Sequence, residues 1–295
     1  KKAAGITGGT FFQGSDCLKT GLVLEGGGMR GLFTAGALDY FLDHNIVFDY
    51  VIGVSAGACN AASYLSKQRG RNLLINTKYV RDKRYLSVQN FVKEGSMFGM
   101  DFVFNQIPNR LEPFDYETML HSPTEFVVGV TDVETGSPCY CDKSHLNHNS
   151  VVVGASSAIP VFSRIVKYQG GRYLDGGTSD PIPVKKALED GCERVVVVLT
   201  RERGYIKRPE KMKRIYSRVY RDLPNMVRVL NERHNIYNQT LEYLTQLEKQ
   251  GVATVIAPSV PPDVGRFEKN EQKLRAAYQL GYDDTQKVME QSDWF

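Results

Sequence analysis

No apolar run in this 295-residue sequence approaches the roughly 18 residues of a membrane-spanning helix. The longest candidates, "VVVGASSAIPVF" and "RVVVVLT", read as buried strands. Residues 1–16, "KKAAGITGGTFFQGSD", lack an apolar signal core, which points to the cytoplasm, with peripheral contact at the membrane as the second expectation. Cysteine is sparse: Cys17, Cys59, Cys139, Cys141 and Cys192 form no metal spacing and no even disulfide set, so reduced thiols and no metal site are expected. There is no internal repeat and no low-complexity block. What remains is 42% hydrophobic and 24% charged, the composition of a globular protein with a real core.

Along the chain, uninterrupted Val/Ile runs alternate with helical patterns. Strands are expected at "GLVLE" (21–25), "FDYVIGVS" (48–55), "EFVVGVTDV" (125–133), "SVVVGAS" (150–156), "RVVVVLT" (194–200) and "VATVIAP" (252–258). Helices are expected at "LFTAGALDYFLDHN", "AGACNAASYLSKQ" and "DPIPVKKALEDG". This alternation predicts an α/β fold with a mostly parallel sheet covered on both faces. Residues 70–120 suit an insertion or lid, and 201–250 read as largely helical. No linker splits the chain, so a single domain over 1–295 is expected, with a core at about 20–200 and a helical extension at 201–295 carrying a late strand near 252–258.

The segment "LEGGGMRG" places four glycines within six residues, directly after a predicted strand. Such a loop offers bare backbone N–H groups to an anion. A P-loop would continue with Gly-Lys-Ser/Thr, whereas Met29, Arg30 and Gly31 follow here. Gly26, Gly28 and Gly31 satisfy the dinucleotide spacing, and Asp49 lies about 20 residues on, but at the start of the second strand rather than its end. That match is partial. The third reading is an oxyanion hole, which needs a nucleophile nearby.

"GVSAG", Gly53 to Gly57, supplies one. It stands between a β-branched strand and an Ala-rich helix, the setting in which G-x-S-x-G lifts a serine, here Ser55, onto a strained turn at a helix N-terminus. Two adjacent strand ends, one offering amides and the other a raised serine, form half of an acyl-transfer site, and the oxyanion reading is preferred. The proton acceptor is less plain. His234, in "NERHNIYNQ", is the one histidine placed as in the α/β-hydrolase chain order, yet it lies in a basic helical stretch with no strand-end loop to carry it. Asp175, in "YLDGG", is the better candidate, with an Asp-Gly hairpin turn as its competing explanation.

Taken in order, "LEGGGMRG", "GVSAG", "ASSAIP" (155–160) and "DGG" resemble the patatin-like phospholipase family, over about residues 22–200. The basic helices downstream and "LRAAYQLGYDDT" resemble one bacterial branch of it. The resemblance implies a three-layer α/β/α fold and a Ser–Asp dyad carried by Ser55 and Asp175. It further implies an oxyanion hole from Gly26, Gly27, Gly28 and Met29, and hydrolysis of fatty-acyl esters of phospholipids or related lipids without metal or cofactor. Arg30 reads as a support for the loop, pairing with a carboxylate, in preference to a contact with a phospholipid phosphate. "ASSAIP" reads as a pocket wall, with no catalytic role for Ser156 or Ser157. Glu25 departs from the family pattern, where smaller residues stand; it either brings a carboxylate to the site or caps the loop.

The net charge of +4 is unevenly spread. Residues 201–233 hold eleven Lys/Arg against four Asp/Glu, a balance of +7. Interleaved aromatics and aliphatics make this stretch a candidate for contact with anionic membrane. Nucleic acid is set aside because no recognition motif accompanies the charge. Two alternatives stand beside the dyad: a Ser-His-Asp carboxylesterase of soluble esters using His234, and a membrane-binding protein with a fossil site.

Overall fold

The computed structural model describes residues 18–146, 150–292 and 294; Cys17, His148 and the opening segment lie outside them. The chain runs β1 (Thr20–Leu24), α1 (Gly31–Asp43), β2 (Tyr50–Val54) and α2 (Ala56–Leu65), two tight β–turn–α units. Next come α3 (Arg71–Lys78), α4 (Val88–Glu94), a π-helical segment (Phe102–Leu111) and α5 (Tyr116–His121). Then follow β3 (Glu125–Asp132), β4 (Pro138–Asp142), α6 (Val151–Ser156), β5 (Val166–Tyr168), β6 (Gly171–Asp175), α7 (Val184–Glu189) and β7 (Arg194–Val198). The C-terminal part is α8 (Lys213–Val219), α9 (Pro224–Lys249), β8 (Ala253–Ile256) and α10 (Glu271–Glu290).

The eight strands form one mixed sheet in the order β5-β6-β3-β2-β1-β7-β8, with β4 also against β3. The five strands from β3 to β8 are parallel to one another, while β4, β5 and β6 run antiparallel to their neighbours. Alternation along a strand sends successive side chains to opposite faces. Leu22 and Leu24 of β1, with Val196 and Val198 of β7, pack on one face against Phe33 and Phe41 of α1 and Ala58 of α2. Val23, Val195 and Val197 pack on the other against Val184 of α7 and Leu244 of α9. The expected layers, helix–sheet–helix, are therefore present, and the continuous valine run of β7 reflects burial on both faces.

Helix α10 packs closely against α1. A Cβ on Gly36 would lie 1.9 Å from the Tyr278 carbonyl oxygen, and one on Gly281 would lie 1.9 Å from that of Phe33. The two helices thus meet backbone to backbone through reciprocal glycines, which fixes the tail onto the core.

One expected strand is wrong. Residues 151–156 form helix α6, not a strand. Three valines favour a strand locally, but the segment buries Val152, Val153, Ala155 and Ser156 as a short helix against β3, and tertiary packing overrides propensity. Pro160 accordingly follows a helix. Strands β4 and β5 had no expectation at all: "PCYCD" and "VKY" are short, mixed in polarity and lie at the sheet's antiparallel end.

Candidate active site

The sheet register assembles the site. Val54, the last residue of β2, pairs with Gly129 of β3, and Asp175, the last of β6, pairs with Val130. Consecutive positions on β3 therefore set the two strand ends side by side, although they lie far apart in the sequence. Ser55 follows at φ 54°, ψ −126°, a conformation that side chains other than glycine rarely adopt. The flanking glycines are obligatory: a Cβ on Gly53 would lie 2.7 Å from the Gly57 backbone, and one on Gly57 would lie 2.5 Å from the Leu24 oxygen.

Ser55 Oγ donates a hydrogen bond to Asp175 Oδ2 at 2.7 Å, and both residues are buried. The other carboxylate oxygen, Oδ1, accepts from the Gly177 amide at 2.8 Å. The Asp175 backbone is held as well, its amide donating to Ala158 O (2.9 Å) and its carbonyl accepting from Thr131 Oγ1 (2.8 Å). Burial raises the Asp175 pKa above the ordinary carboxylate value, opposed by the Ser55 bond and by the nearby charges of Arg233 and Arg266. A drier carboxylate is a stronger base, the property an aspartate needs if it is to deprotonate a serine.

Ser156 holds the elbow from behind. Its hydroxyl accepts from the Ser55 amide at 2.8 Å and donates to Gly129 O at 2.6 Å, tying α6 to β3 through the strained residue. No catalytic part was expected of Ser156 from the motif; its part here is positioning. The local sequence could not have shown this, because its partners are distant in the chain, one just past the end of β2 and the other within β3.

The glycine loop runs along the opposite wall. A Cβ on Gly26 would sit 3.1 Å from that of Ser55. Gly27 and Gly28 amides make no hydrogen bond among the described residues, whereas the Met29 amide donates to Arg266 O at 3.2 Å. Met29 therefore anchors the loop, and its amide is not open to a ligand as expected. Gly28 has φ +58°, and Arg266 packs directly over it, within 2.8 Å of where a Cβ would stand. Arg266 carried no signal in the sequence.

Glu25 is 3% exposed, and both of its oxygens are engaged, Oε2 by the Thr200 amide (2.5 Å) and Oε1 by the Tyr237 hydroxyl (2.9 Å). It ties the loop's entry to the end of β7 and to α9, and it also lines the polar cavity at Ser55, so both readings offered by the sequence find a counterpart; burial raises its pKa. Among the described residues Arg30 makes no ion pair with a carboxylate, against the expected pairing. Its Nε is buried without a hydrogen-bond partner, and burial together with neighbouring Arg201 lowers its pKa to about 10.

Two cavities meet at Ser55, sharing Gly28 and Ile159. One is apolar, walled by residues such as Leu32, Ile75, Phe104, Ile107 and Met119. The segment expected as a lid thus supplies much of this wall through α3, the π-helical stretch and α5. The other cavity is polar and lies under the C-terminal part. His234 lines neither, and its Nδ1 has no hydrogen-bond partner among the described residues. Among the described residues no cluster of three or more His, Cys, Asp or Glu could hold a metal ion, and no helix is long and apolar enough to cross a membrane.

Fold and site together define an α/β/α protein with a buried serine on a strand–turn–helix elbow, bonded to an aspartate and facing a glycine loop. A family model described as "Patatin-like phospholipase" matches residues 22–188, more than half of the chain, and the chain belongs to that family of lipid acyl hydrolases. A second model, a domain of unknown function (DUF6363), matches residues 223–294. The uncharacterized protein YjjU of Escherichia coli (strain K12) is 34% identical over 199 residues, covering 66% of this chain and 55% of that protein, so the chain spans about half the length of this relative. The structure also resembles that of VipD from Legionella pneumophila, with 13% identity and a TM-score of 0.49, over 93% of this chain and 67% of that one.

Proposed function

We propose that the protein hydrolyses fatty-acyl esters of lipids through a Ser55–Asp175 dyad. Asp175 takes the Ser55 proton as Oγ attacks the ester carbonyl. The Gly27 and Gly28 amides, with Gly26 shaping the loop beside Ser55, receive the negative charge that develops on the carbonyl oxygen; each such donor contributes roughly 3 kcal/mol in the transition state. The acyl group passes to Ser55, the alcohol leaves with the proton from Asp175, and water activated by Asp175 releases the fatty acid. The observation that carries this reading is the 2.7 Å bond from Ser55 Oγ to Asp175 Oδ2, at a point where an apolar cavity opens onto the serine.

The competing Ser-His-Asp esterase gains no support from His234, which lines neither cavity at Ser55. Turnover of a short-chain p-nitrophenyl ester separates the two. Asp175→Asn abolishes it and His234→Ala retains it under the dyad; the opposite pair of results overturns the proposal.

The enzyme is further proposed to work at anionic membrane surfaces, without nucleic-acid partners. Lys211, Lys213, Arg214, Arg218 and Arg221 are exposed on and around α8, beside Ile215 (51% exposed) and Val219 (55%). Reversing Arg214, Arg218 and Arg221 should lower activity on anionic vesicles while sparing soluble esters; equal losses on both contradict it. We also read the chain as one unit, its core and C-terminal extension joined at the α1–α10 contact.

A further inference from the structure

The basic stretch divides in space. The α8 cations face outward, whereas Arg201, Lys207 and Arg233 turn into the polar cavity beside Ser55, where Arg30 and Arg266 join them. The acids in that cavity are already engaged. Glu210 pairs with Arg233 at 2.9 Å and Lys207 at 3.6 Å. Glu25 is held by Thr200 and Tyr237, and Asp175 by Ser55 and Gly177. Arg30, Arg201 and Arg266 make no side-chain ion pair among the described residues; Arg201 lies over the Tyr205 ring, 4.6 Å from its centroid. Arg30 Nε has neither solvent nor a hydrogen-bond partner among the described residues. Burial and mutual repulsion push Lys207 down to about 8. A surplus of positive charge in half-buried side chains is unfavourable unless an anion joins it.

The place of this cavity says which part of a substrate would enter it. An ester with its carbonyl at Ser55 and its acyl chain in the apolar cavity sends its alcohol portion the other way, past Gly28 into the cationic one. No free carboxylate waits there for a head-group ammonium. The Tyr237 and Tyr216 hydroxyls are bound to Glu25 and Asn231, and Arg201 covers Tyr205. On the reading of the protein as a lipid acyl hydrolase, we propose that this cavity is a phosphate subsite for the alcohol portion of the substrate. The preferred substrates are acyl esters of glycerol phosphate with purely anionic head groups, over those bearing choline or ethanolamine. Guanidinium groups suit this task because they meet phosphate oxygens in pairs.

The test is calorimetric titration of the intact protein with short-chain, ether-linked lipids below their micelle concentration. The probes are an alkylglycerol phosphate, the same alkylglycerol without phosphate, the alkylglycerophosphocholine, and inorganic phosphate alone. The phosphate lipid should bind about tenfold or more tightly than the other two lipids, as a charge-assisted contact implies. Arg201→Met and Lys207→Met should each narrow the gap, and Arg201→Lys should restore part of it. Equal affinity for the three lipids in the unaltered protein overturns the proposal without reliance on any variant. Inorganic phosphate binding as tightly as the phosphate lipid also overturns it, leaving a free-phosphate site. Tight phosphate-lipid binding in a protein that hydrolyses no ester refutes the hydrolase reading and leaves the anion site standing, while ester hydrolysis with no head-group preference does the reverse.

Discussion

Ser156→Ala removes two buried hydrogen bonds at once, one from the Ser55 amide (2.8 Å) and one to Gly129 O (2.6 Å). The Ser55 amide is left without an acceptor inside the protein, and a buried donor in that state costs about 1–3 kcal/mol. With the lost bond to Gly129 the sum is about 2–3 kcal/mol, which lowers the melting temperature by about 3–5 °C in a chain of this size. The larger effect should fall on activity. Ser55 is kept at φ 54°, a backbone state that itself costs about 1–3 kcal/mol and persists only where its surroundings enforce it. Releasing the amide lets the turn relax and moves Oγ away from Asp175. A displacement of about 1 Å in a reacting group can cost about a hundredfold in rate. Calorimetry and kcat on a p-nitrophenyl ester measure the two effects, with Ser156→Cys as a variant that keeps a weak polar partner and should lose less. A melting temperature within about 1 °C of the parent, with kcat within about twofold, would refute the reasoning.

The remaining predictions concern protonation and packing. Asp175 must be ionised to accept the serine proton, and burial raises its pKa above the ordinary 3.8. The acid limb of kcat/KM therefore lies above that of an exposed carboxylate, with activity lost as pH falls through it. Arg233→Met removes a charge that opposes the shift and should move the limb to still higher pH; a limb at or below the ordinary carboxylate range, or one moving down, contradicts this. Gly36→Ala drives a Cβ to within 1.9 Å of the Tyr278 carbonyl, so α10 must lift off α1. Overpacking of this kind costs about 1–3 kcal/mol, and the melting transition should fall by several degrees. Gly265→Ala, with nothing within 4 Å, serves as the control and should change little. Equal stability of the two variants would rule out the close helix contact.

The parts of the site that the sequence announced were those written into short contiguous motifs. "GVSAG" needs its glycines because the Leu24 and Gly57 backbones leave no room for a Cβ, so sterics alone mark the position of Ser55. The strands buried on both faces, such as "RVVVV", announce themselves by unbroken apolar runs. Features set by distant partners stayed hidden. Whether "VVVGAS" becomes strand or helix depends on what it packs against, and Ser156 acquires its role only when α6 meets Gly129. Arg266 lies after the last strand with no motif around it, yet its carbonyl takes the Met29 amide expected for the oxyanion. The basic composition of 201–233 was legible as a total, but its division between an outer face and a cavity beside Ser55 depends on how the loop before α8 folds back under α9.

Ser55 is proposed to be a nucleophile activated by Asp175. Treatment with a fluorophosphonate probe followed by peptide mapping tests it most directly. A single adduct on Ser55 is expected, absent from Ser55→Ala and strongly slowed in Asp175→Asn. No adduct on Ser55, or equal labelling of Ser55→Ala, would contradict it.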